Sequence, residues 1–361
     1  MENLVSRGSG AEPFRGAYRG QRVFVSGHTG FKGGWLCEWL LHLGAEVRGF
    51  SLAPNTAPAL FDQLNLSTRI QHQIADLRDL TAVKSAVVEF SPDYIFHLAA
   101  QPLVRHSYAN AVETFDTNVM GTVHLLEAAR ALTRPCAVVV VSTDKCYQND
   151  ESGRPFGEHH PLGGSDPYSA SKAAAELVVA AYRHSFFSDA GAQVALASAR
   201  AGNVIGGGDW GEDRILPDAI RALTAKESIP VRNPSHVRPW QHVLDALGGY
   251  LRLGARILDS PELRAAFNFG PTESSARTVA ELIQEILRYW PGKWHHAATQ
   301  SVVDERSVLR LSSDKARVLL DWRPAWDFAK TVRQTIEWYR DARDAPDKTR
   351  QQIQKFEAEM A

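Results

Sequence analysis

Along this chain apolar residues gather in short runs, then spread into helical spacing, and the two patterns alternate. Arg22-Val23-Phe24-Val25-Ser26 is a β-branched and aromatic run of the kind that forms a strand. Gly27-His28-Thr29-Gly30-Phe31-Lys32-Gly33 follows and leads into an amphipathic stretch ending at Leu43, with Gly44 as its stop. The reading is strand, glycine turn, helix. Glu46 to Phe50 reads as a second strand, Ile74-Ala75-Asp76-Leu77 as a third, Tyr94 to Leu98 as a fourth, Ala137 to Val141 as a fifth and Val194 to Ser198 as a sixth. Helical spacing fills 80–90, 114–131 and 167–186 between them. Strands apolar on both faces need helices over both faces. The pattern therefore predicts an α/β fold: a Rossmann-like, doubly wound parallel sheet rather than a barrel or sandwich.

Beyond about residue 200 the rhythm breaks, with Gly206-Gly207-Gly208 and several prolines among shorter pieces. We expect residues 20–200 to form the sheet domain, with a return segment near 238–260, and residues 201–361 to form mainly a smaller, mostly helical substrate lobe interleaved with it. Residues 1–19 carry no apolar period and are expected to be a flexible arm. The charged tail from Asp344 onward reads as a solvated helix.

Composition narrows the function. Hydrophobic residues at 44% and charged residues at 22% describe an ordinary globular chain. Forty basic residues against 41 acidic ones create no net field for nucleic acid or a membrane surface, so any anion must be bound locally. Cys37, Cys136 and Cys146 lack metal-ligand spacing and are too few for a disulfide framework. The adjacent pairs His159-His160 and His295-His296 are expected to diverge on regular backbone, so no metal site is expected. No long apolar run and no secretion signal is present, which makes the cytoplasm the expected location.

Gly27, Gly30 and Gly33 lie between a strand and a helix, where missing side chains let the backbone turn tightly and a pyrophosphate approach the helix N-terminus. The spacing is GxxGxxG rather than GxGxxG. The second strand ends Gly49-Phe50-Ser51-Leu52 without the acidic residue that selects NAD, which leaves NAD and NADP both open. Arg48 could meet a 2′-phosphate, but a residue within the strand better suits a structural or surface role. Asp76, after the third strand, is placed for an adenine contact or for capping a turn.

Tyr168 and Lys172 are four apart and so share a helix face. An ammonium beside a phenol favours phenolate, a base for a sugar hydroxyl. Alone, that pair is as ordinary as any solvated helix pair. Its setting is the end of an apolar strand, where Ser142-Thr143-Asp144-Lys145 gathers hydroxyl, carboxylic acid and amine. His97 ends a strand and is expected to pack against the cofactor region at most, with Cys146 a bystander thiol.

These motifs, with Leu98-Ala99-Ala100-Gln101-Pro102 and Asn118-Val119-x-Gly121-Thr122, resemble the extended short-chain dehydrogenase/reductase family over nearly the whole chain after residue 20. Longer strings, Gln101-Pro102-Leu103-Val104-Arg105, Asp144-Lys145-Cys146-Tyr147, Gly202 to Trp210 and Arg238 to Val243, are similar to the 4,6-dehydratase branch acting on CDP-glucose. The resemblance implies NAD, held by Gly27, Thr29, Gly30, Phe31 and Gly33, by Asp76 and Leu77, by Ala99, Ala100, Gln101 and Asn118, and by Tyr168 and Lys172. It implies a nucleotide-sugar substrate on Gln101, Asn203, Arg214, Arg238 and Arg306. Tyr168 would be base at the carbon-four hydroxyl, Lys172 its tuner, Thr143 its aligner and Asp144 the acid for the departing carbon-six hydroxyl. Related dTDP-sugar enzymes carry Asp-Glu where this chain has Asp144-Lys145, so Lys145 would be the carbon-five base if burial keeps it neutral, or else a stabiliser of the enolate. A homodimer and a product used in lipopolysaccharide O-antigen deoxysugars are also implied. A 4-epimerase, or a noncatalytic NAD-binding protein of the same fold, are the competing readings.

Overall fold

The computed structural model describes residues 13–150, 152–189, 191–297, 309–340 and 342–360. Strands β1 (Arg22–Ser26), β2 (Glu46–Ser51), β3 (Gln71–Ile74), β4 (Tyr94–His97), β5 (Cys136–Thr143), β6 (Val194–Ala201) and β7 (Ala266–Phe269) make one sheet in the order β7-β6-β5-β4-β1-β2-β3. Every pairing in it is parallel. The chain direction across the sheet reverses between β1 and β4, which opens a crevice at the carboxyl ends of those strands. Helix α1 (Phe31–His42) leaves β1 through the glycine turn, α2 (Leu80–Phe90) and α3 (Gly121–Arg130) cover one face, and α4 (Pro167–Phe186) links β5 to β6.

All eight side chains of β5 are buried, as are all eight of β6. In β5 the side chains are apolar from Ala137 to Val141, so the hydrophilic residues that follow, beginning at Ser142, emerge at the crevice. α4 begins cleanly because Asp166 accepts the Ser169 N–H and Pro167 fills the first turn.

The third strand lies three residues earlier than its apolar signal. It is an edge strand paired by backbone, Arg48 to Gln71 through Ser51 to Ile74, and all four of its side chains are exposed. No hydrophobic pattern marks such a strand. The 114–131 helix begins at Ala111 and contains a π-turn over Asp116–Met120, which rolls Asn118 inward.

After β6 come α5 (Ile215–Thr224), α6 (Val243–Gly254), α7 (Val279–Tyr289), α8 (Asp314–Leu320), α9 (Phe328–Arg340) and α10 (Ala345–Glu359). The strand β7 returns to the main sheet beside β6. The Gly206-Gly207-Gly208 run is a packing device: a Cβ on Gly207 would stand 2.1 Å from the Trp338 ring, and Trp35 Nε1 donates to the Gly207 carbonyl at 2.8 Å.

Two expectations about the ends need correction. From residue 13 onward the expected arm is packed against the fold: Tyr18 is buried and its hydroxyl donates to the Leu251 carbonyl at 2.6 Å, while residues 1–12 lie outside the described residues. The tail helix α10 buries Ile353 and Phe356, and Phe356 meets Trp39 edge to face at 5.6 Å. One apolar turn every seven or so residues was masked by the charges around it.

Candidate active site

The crevice is a cleft of ≈930 Å³ running from the glycine turn, past the ends of β4 and β5, to Arg232 and Asn233. Its floor begins where β1 ends. Gly27 has φ +80, and a Cβ there would lie 2.7 Å from the Ala99 backbone nitrogen. A Cβ on Gly33 would lie 2.1 Å from the Gly27 carbonyl oxygen. Both positions demand glycine, and together they bring backbone N–H groups of the α1 N-terminus to the cleft wall without a side chain in the way. Gly30 is the N-cap and supplies no side-chain cap. A dinucleotide pyrophosphate fits this cradle. Thr29 Oγ1 donates to the Leu52 carbonyl at 2.9 Å and lies 2.9 Å from Ser51 Oγ, closing the end of β2.

Arg48 points away from this wall. It donates to the Ala86 carbonyl at 3.2 Å and to Glu89 at 3.2 Å on α2. Asp76 and Leu77 line the cleft; Arg78 grips the Asp76 carboxylate at 2.6 Å and holds its pKa below the usual range. A Cβ on Gly121 would stand 2.6 Å from Leu77, which accounts for the glycine three residues after Asn118.

Ala99 and Ala100 line the cleft, but Gln101 and Asn118 stand one layer behind it, contrary to the direct contacts expected of them. The Gln101 amide nitrogen donates to Thr114 Oγ1 at 2.9 Å and its oxygen accepts the Leu103 N–H at 2.6 Å. Asn118 Oδ1 accepts the Gln101 N–H at 2.8 Å, and its Nδ2 donates to Ser171 Oγ at 2.9 Å. These side chains shape the loop that carries the alanines. His97 is likewise internal, 2.6 Å from Ser26 Oγ, and burial drives its pKa down to about 3.

At the β5 end, Thr143 Oγ1 donates to Asp144 Oδ1 at 3.0 Å and accepts the Lys145 N–H at 3.3 Å. Asp144 is buried, and its Oδ2 has no hydrogen-bond partner. Burial raises its pKa, against the pull of Lys145, the Thr143 hydrogen bond, Arg238 and Lys32. Such a carboxyl takes up a proton readily. Lys145 is only half-buried.

Tyr168 and Lys172 both line the cleft on the first two turns of α4. Lys172 Nζ donates to the Val141 carbonyl at 3.0 Å, and burial lowers its pKa while Glu176 and Cys146 raise it. The phenol of Tyr168 is pushed up to about 12, chiefly by desolvation; Thr143, as a hydrogen-bonding neighbour, and Arg214 pull it back. The expected lowering of the phenol by Lys172 is therefore not what this arrangement provides. Thr143 and Arg214 hold that place.

Asn203, Arg214 and Arg238 line the far half of the cleft, and Arg306 lies outside the described residues. Arg214 Nη1 bonds Asp209 at 2.9 Å, and Arg238 Nη1 donates to the Val237 carbonyl at 3.0 Å. Arg232 and Lys32 are among the cleft-lining cations that the sequence reading did not assign to the site. Arg232 joins the wall 2.8 Å from Asp213, with nothing in its neighbourhood of sequence to mark it. Lys32 projects from the glycine turn into the cleft, 5.9 Å from the Tyr250 ring centroid, and burial lowers its pKa to about 8. A lysine inside a phosphate-binding turn was the available signal. His159 and His160 do not diverge; their rings lie 4.3 Å apart in a turn. Among the described residues no three His, Cys, Asp or Glu side chains are grouped to hold a metal ion.

The family model described as GDP-mannose 4,6 dehydratase matches residues 24–335. The chain is 43% identical over 329 residues to CDP-glucose 4,6-dehydratase of Salmonella typhimurium, covering 90% of this chain and 91% of that one. Its fold is similar to dTDP-glucose 4,6-dehydratase from Streptomyces venezuelae, solved with NAD bound, at a TM-score of 0.75 and 26% identity over 89% of this chain and 97% of the other. It is equally similar, at 0.75 and 28% identity, to a UDP-glucose 4-epimerase of Thermus thermophilus in complex with NAD, covering 89% and 99%.

Proposed function

The chain belongs to the GDP-mannose 4,6 dehydratase family, and from that premise we propose that it is an NAD-dependent lyase converting CDP-D-glucose to CDP-4-keto-6-deoxy-D-glucose. The observation that carries the reading is the pairing of Asp144 and Lys145 directly after Thr143, with Asp144 Oδ2 buried and unpartnered at the cleft. A 4-epimerase needs a base at one hydroxyl; elimination of water needs an acid and a second base as well.

NAD, when bound, accepts a hydride from carbon four of the hexose and returns it to carbon six. The glycine turn and the α1 N-terminus hold its pyrophosphate, Asp76 and Leu77 its adenine end, and Tyr168 and Lys172 its nicotinamide ribose. NAD is preferred over NADP because Arg48 and Arg78, the cations near the end of β2, are already bonded to Glu89 and Asp76. Tyr168 Oη takes the carbon-four hydroxyl proton, aligned by Thr143. Oxidation acidifies the carbon-five proton, which Lys145 Nζ removes, and Asp144 protonates the departing carbon-six hydroxyl. Asn203, Arg214, Arg232 and Arg238 hold the nucleotide diphosphate, with Arg geometry suited to two-point phosphate contact.

The working form is a homodimer. Val112 is 86% exposed and Leu177 60%, on neighbouring helical segments that a second copy of the chain would cover. Its compartment is the cytoplasm, which suits three unpaired cysteines, all buried. A 4-keto-6-deoxy sugar nucleotide made there supplies deoxysugars for surface polysaccharide such as O-antigen. The test is turnover of CDP-glucose in deuterated water: dehydration puts one solvent deuterium on carbon five, whereas product without it contradicts the reading.

A further inference from the structure

The dehydration read above, on which this inference rests, has a proton balance that its separate steps do not close. Oxidation leaves the carbon-four hydroxyl proton on Tyr168, and elimination takes a proton from Asp144. The carbon-five proton goes to Lys145, whose ammonium protons exchange with solvent, and one proton from that ammonium is returned. Each turnover would leave Tyr168 one proton richer and Asp144 one poorer.

Thr143 stands between the two. A hydroxyl has one proton to give and two lone pairs. Thr143 gives its proton to Asp144 Oδ1 at 3.0 Å and takes the Lys145 N–H at 3.3 Å, which leaves one lone pair able to accept from the neighbouring Tyr168 phenol. The Lys145 amide thereby fixes which way the hydroxyl points. Thr143 is 9% exposed and Asp144 2%, so water has little access to the chain of groups. The other carboxylate oxygen, Asp144 Oδ2, has no partner, and a Cβ on Gly202 would come within 2.9 Å of it. One oxygen thus receives from Thr143 while the other stays open beside a residue with no side chain.

We propose that Tyr168, Thr143 and Asp144 form a proton relay that couples oxidation to elimination. As carbon four gives its hydride to the nicotinamide, its hydroxyl proton passes to Tyr168 Oη, the phenol proton to Thr143 Oγ1, and the Thr143 proton to Asp144 Oδ1. The C–H and O–H bonds at carbon four break and the carbonyl forms; Tyr168 and Thr143 keep their proton number, and Asp144 changes from carboxylate to acid. Asp144 then protonates the carbon-six hydroxyl while Lys145 takes the carbon-five proton, the C–H electron pair becomes the double bond, and water leaves. Return of the hydride to carbon six and of a proton to carbon five restores every side chain. Water leaves with the proton that Thr143 held, the carbon-four hydroxyl proton stays on Tyr168, and the proton count of the chain is unchanged. A phenol pushed up to about 12 suits this route, since no free phenolate has to form, and a buried carboxyl with raised proton affinity suits the receiving end.

The test isolates the first step with the 6-deoxy analogue of CDP-glucose, which can be oxidised but has no carbon-six hydroxyl to lose. Full-length protein loaded with NAD is followed by cofactor absorbance and by infrared difference spectra together. In the wild type and in Thr143→Ser, a protonated-carboxyl band that is absent from Asp144→Asn should grow in step with cofactor reduction. Thr143→Val and Asp144→Asn should reduce the cofactor about a hundredfold more slowly at neutral pH, with the rate climbing about tenfold per pH unit as phenolate becomes necessary. Melting curves and NAD affinity identify a variant that fails to fold; if Asp144→Asn does, the Thr143→Val and Thr143→Ser pair still decides. Wild-type reduction without a new carboxyl band, or Asp144→Asn or Thr143→Val reducing at the wild-type rate, overturns the relay. Wild-type protein that reduces its cofactor with no hexose nucleotide overturns the functional reading instead.

Discussion

Lys145 and Lys172 emerge at the same cleft in unlike settings, and their exchange for neutral residues should separate two steps of one reaction. Lys172 is buried and tied to the Val141 carbonyl, whereas Lys145 is half-buried and adjoins the acid. Lys145→Met should abolish deuterium exchange at carbon five while cofactor reduction continues, as read by mass spectrometry and absorbance; exchange that persists would remove Lys145 from the base role. Lys172→Met should weaken cofactor retention as well as slow oxidation. At this scale the sequence was informative where a motif had company. Thr143, Asp144, Tyr168 and Lys172 could be singled out because strand end and helix start are both readable. Gln101 and Asn118 could not be resolved into cleft or support, since a polar residue in a loop gives no sign of which way its amide is spent. Arg232 was illegible because its place depends on how the second lobe folds back over the sheet.

We propose that cofactor binding depends on the glycine turn between β1 and α1. Gly33→Ala would force a Cβ against the Gly27 carbonyl at 2.1 Å. We expect a loss of about 3 kcal/mol in denaturant unfolding and loss of NAD binding, because the backbone must move where both contacts are backbone. Gly20→Ala is the contrast: its φ is positive, +68, but no atom lies within 4 Å of its Cβ, and it should cost less and leave binding intact. The element was legible because turn, strand and helix each announce themselves within a dozen residues. β3 was not, since an exposed edge strand is held by its backbone, and the π-turn at Asp116–Met120 changes the helix phase by one residue without any change in composition.

Some buried polar groups of the fold titrate and others pair. Asp245 on α6 accepts the Ala325 N–H at 2.6 Å, its Oδ2 has no partner, and burial raises its pKa to about 7. The folded state therefore holds this proton more tightly than the unfolded chain, whose carboxyl titrates near 3.9. Its contribution to stability is complete below about pH 4 and is lost as pH rises through about 7. Asp245→Asn, which keeps the acceptor oxygen, should raise the melting temperature relative to wild type at pH 8 and change it little at pH 4. Glu176 and Arg200, paired at 2.7 Å and both nearly inaccessible, behave differently. Glu176→Leu leaves a buried guanidinium without its carboxylate and should cost about 3–5 kcal/mol in denaturant unfolding. Val112→Glu with Leu177→Glu should yield a monomer in sedimentation while the fold survives. The doubly wound parallel sheet followed from the alternation of elements, but the return of β7 to the sheet and the burial of α10 did not, because each is decided by packing between distant parts of the chain.

The most direct measurement is purified protein with NAD presented separately with CDP-, dTDP-, GDP- and UDP-hexoses, with the products weighed by mass spectrometry. Loss of one water from CDP-glucose, and not from the other three, is the expected result. An isomerised hexose of unchanged mass, or no product from CDP-glucose, would contradict the account.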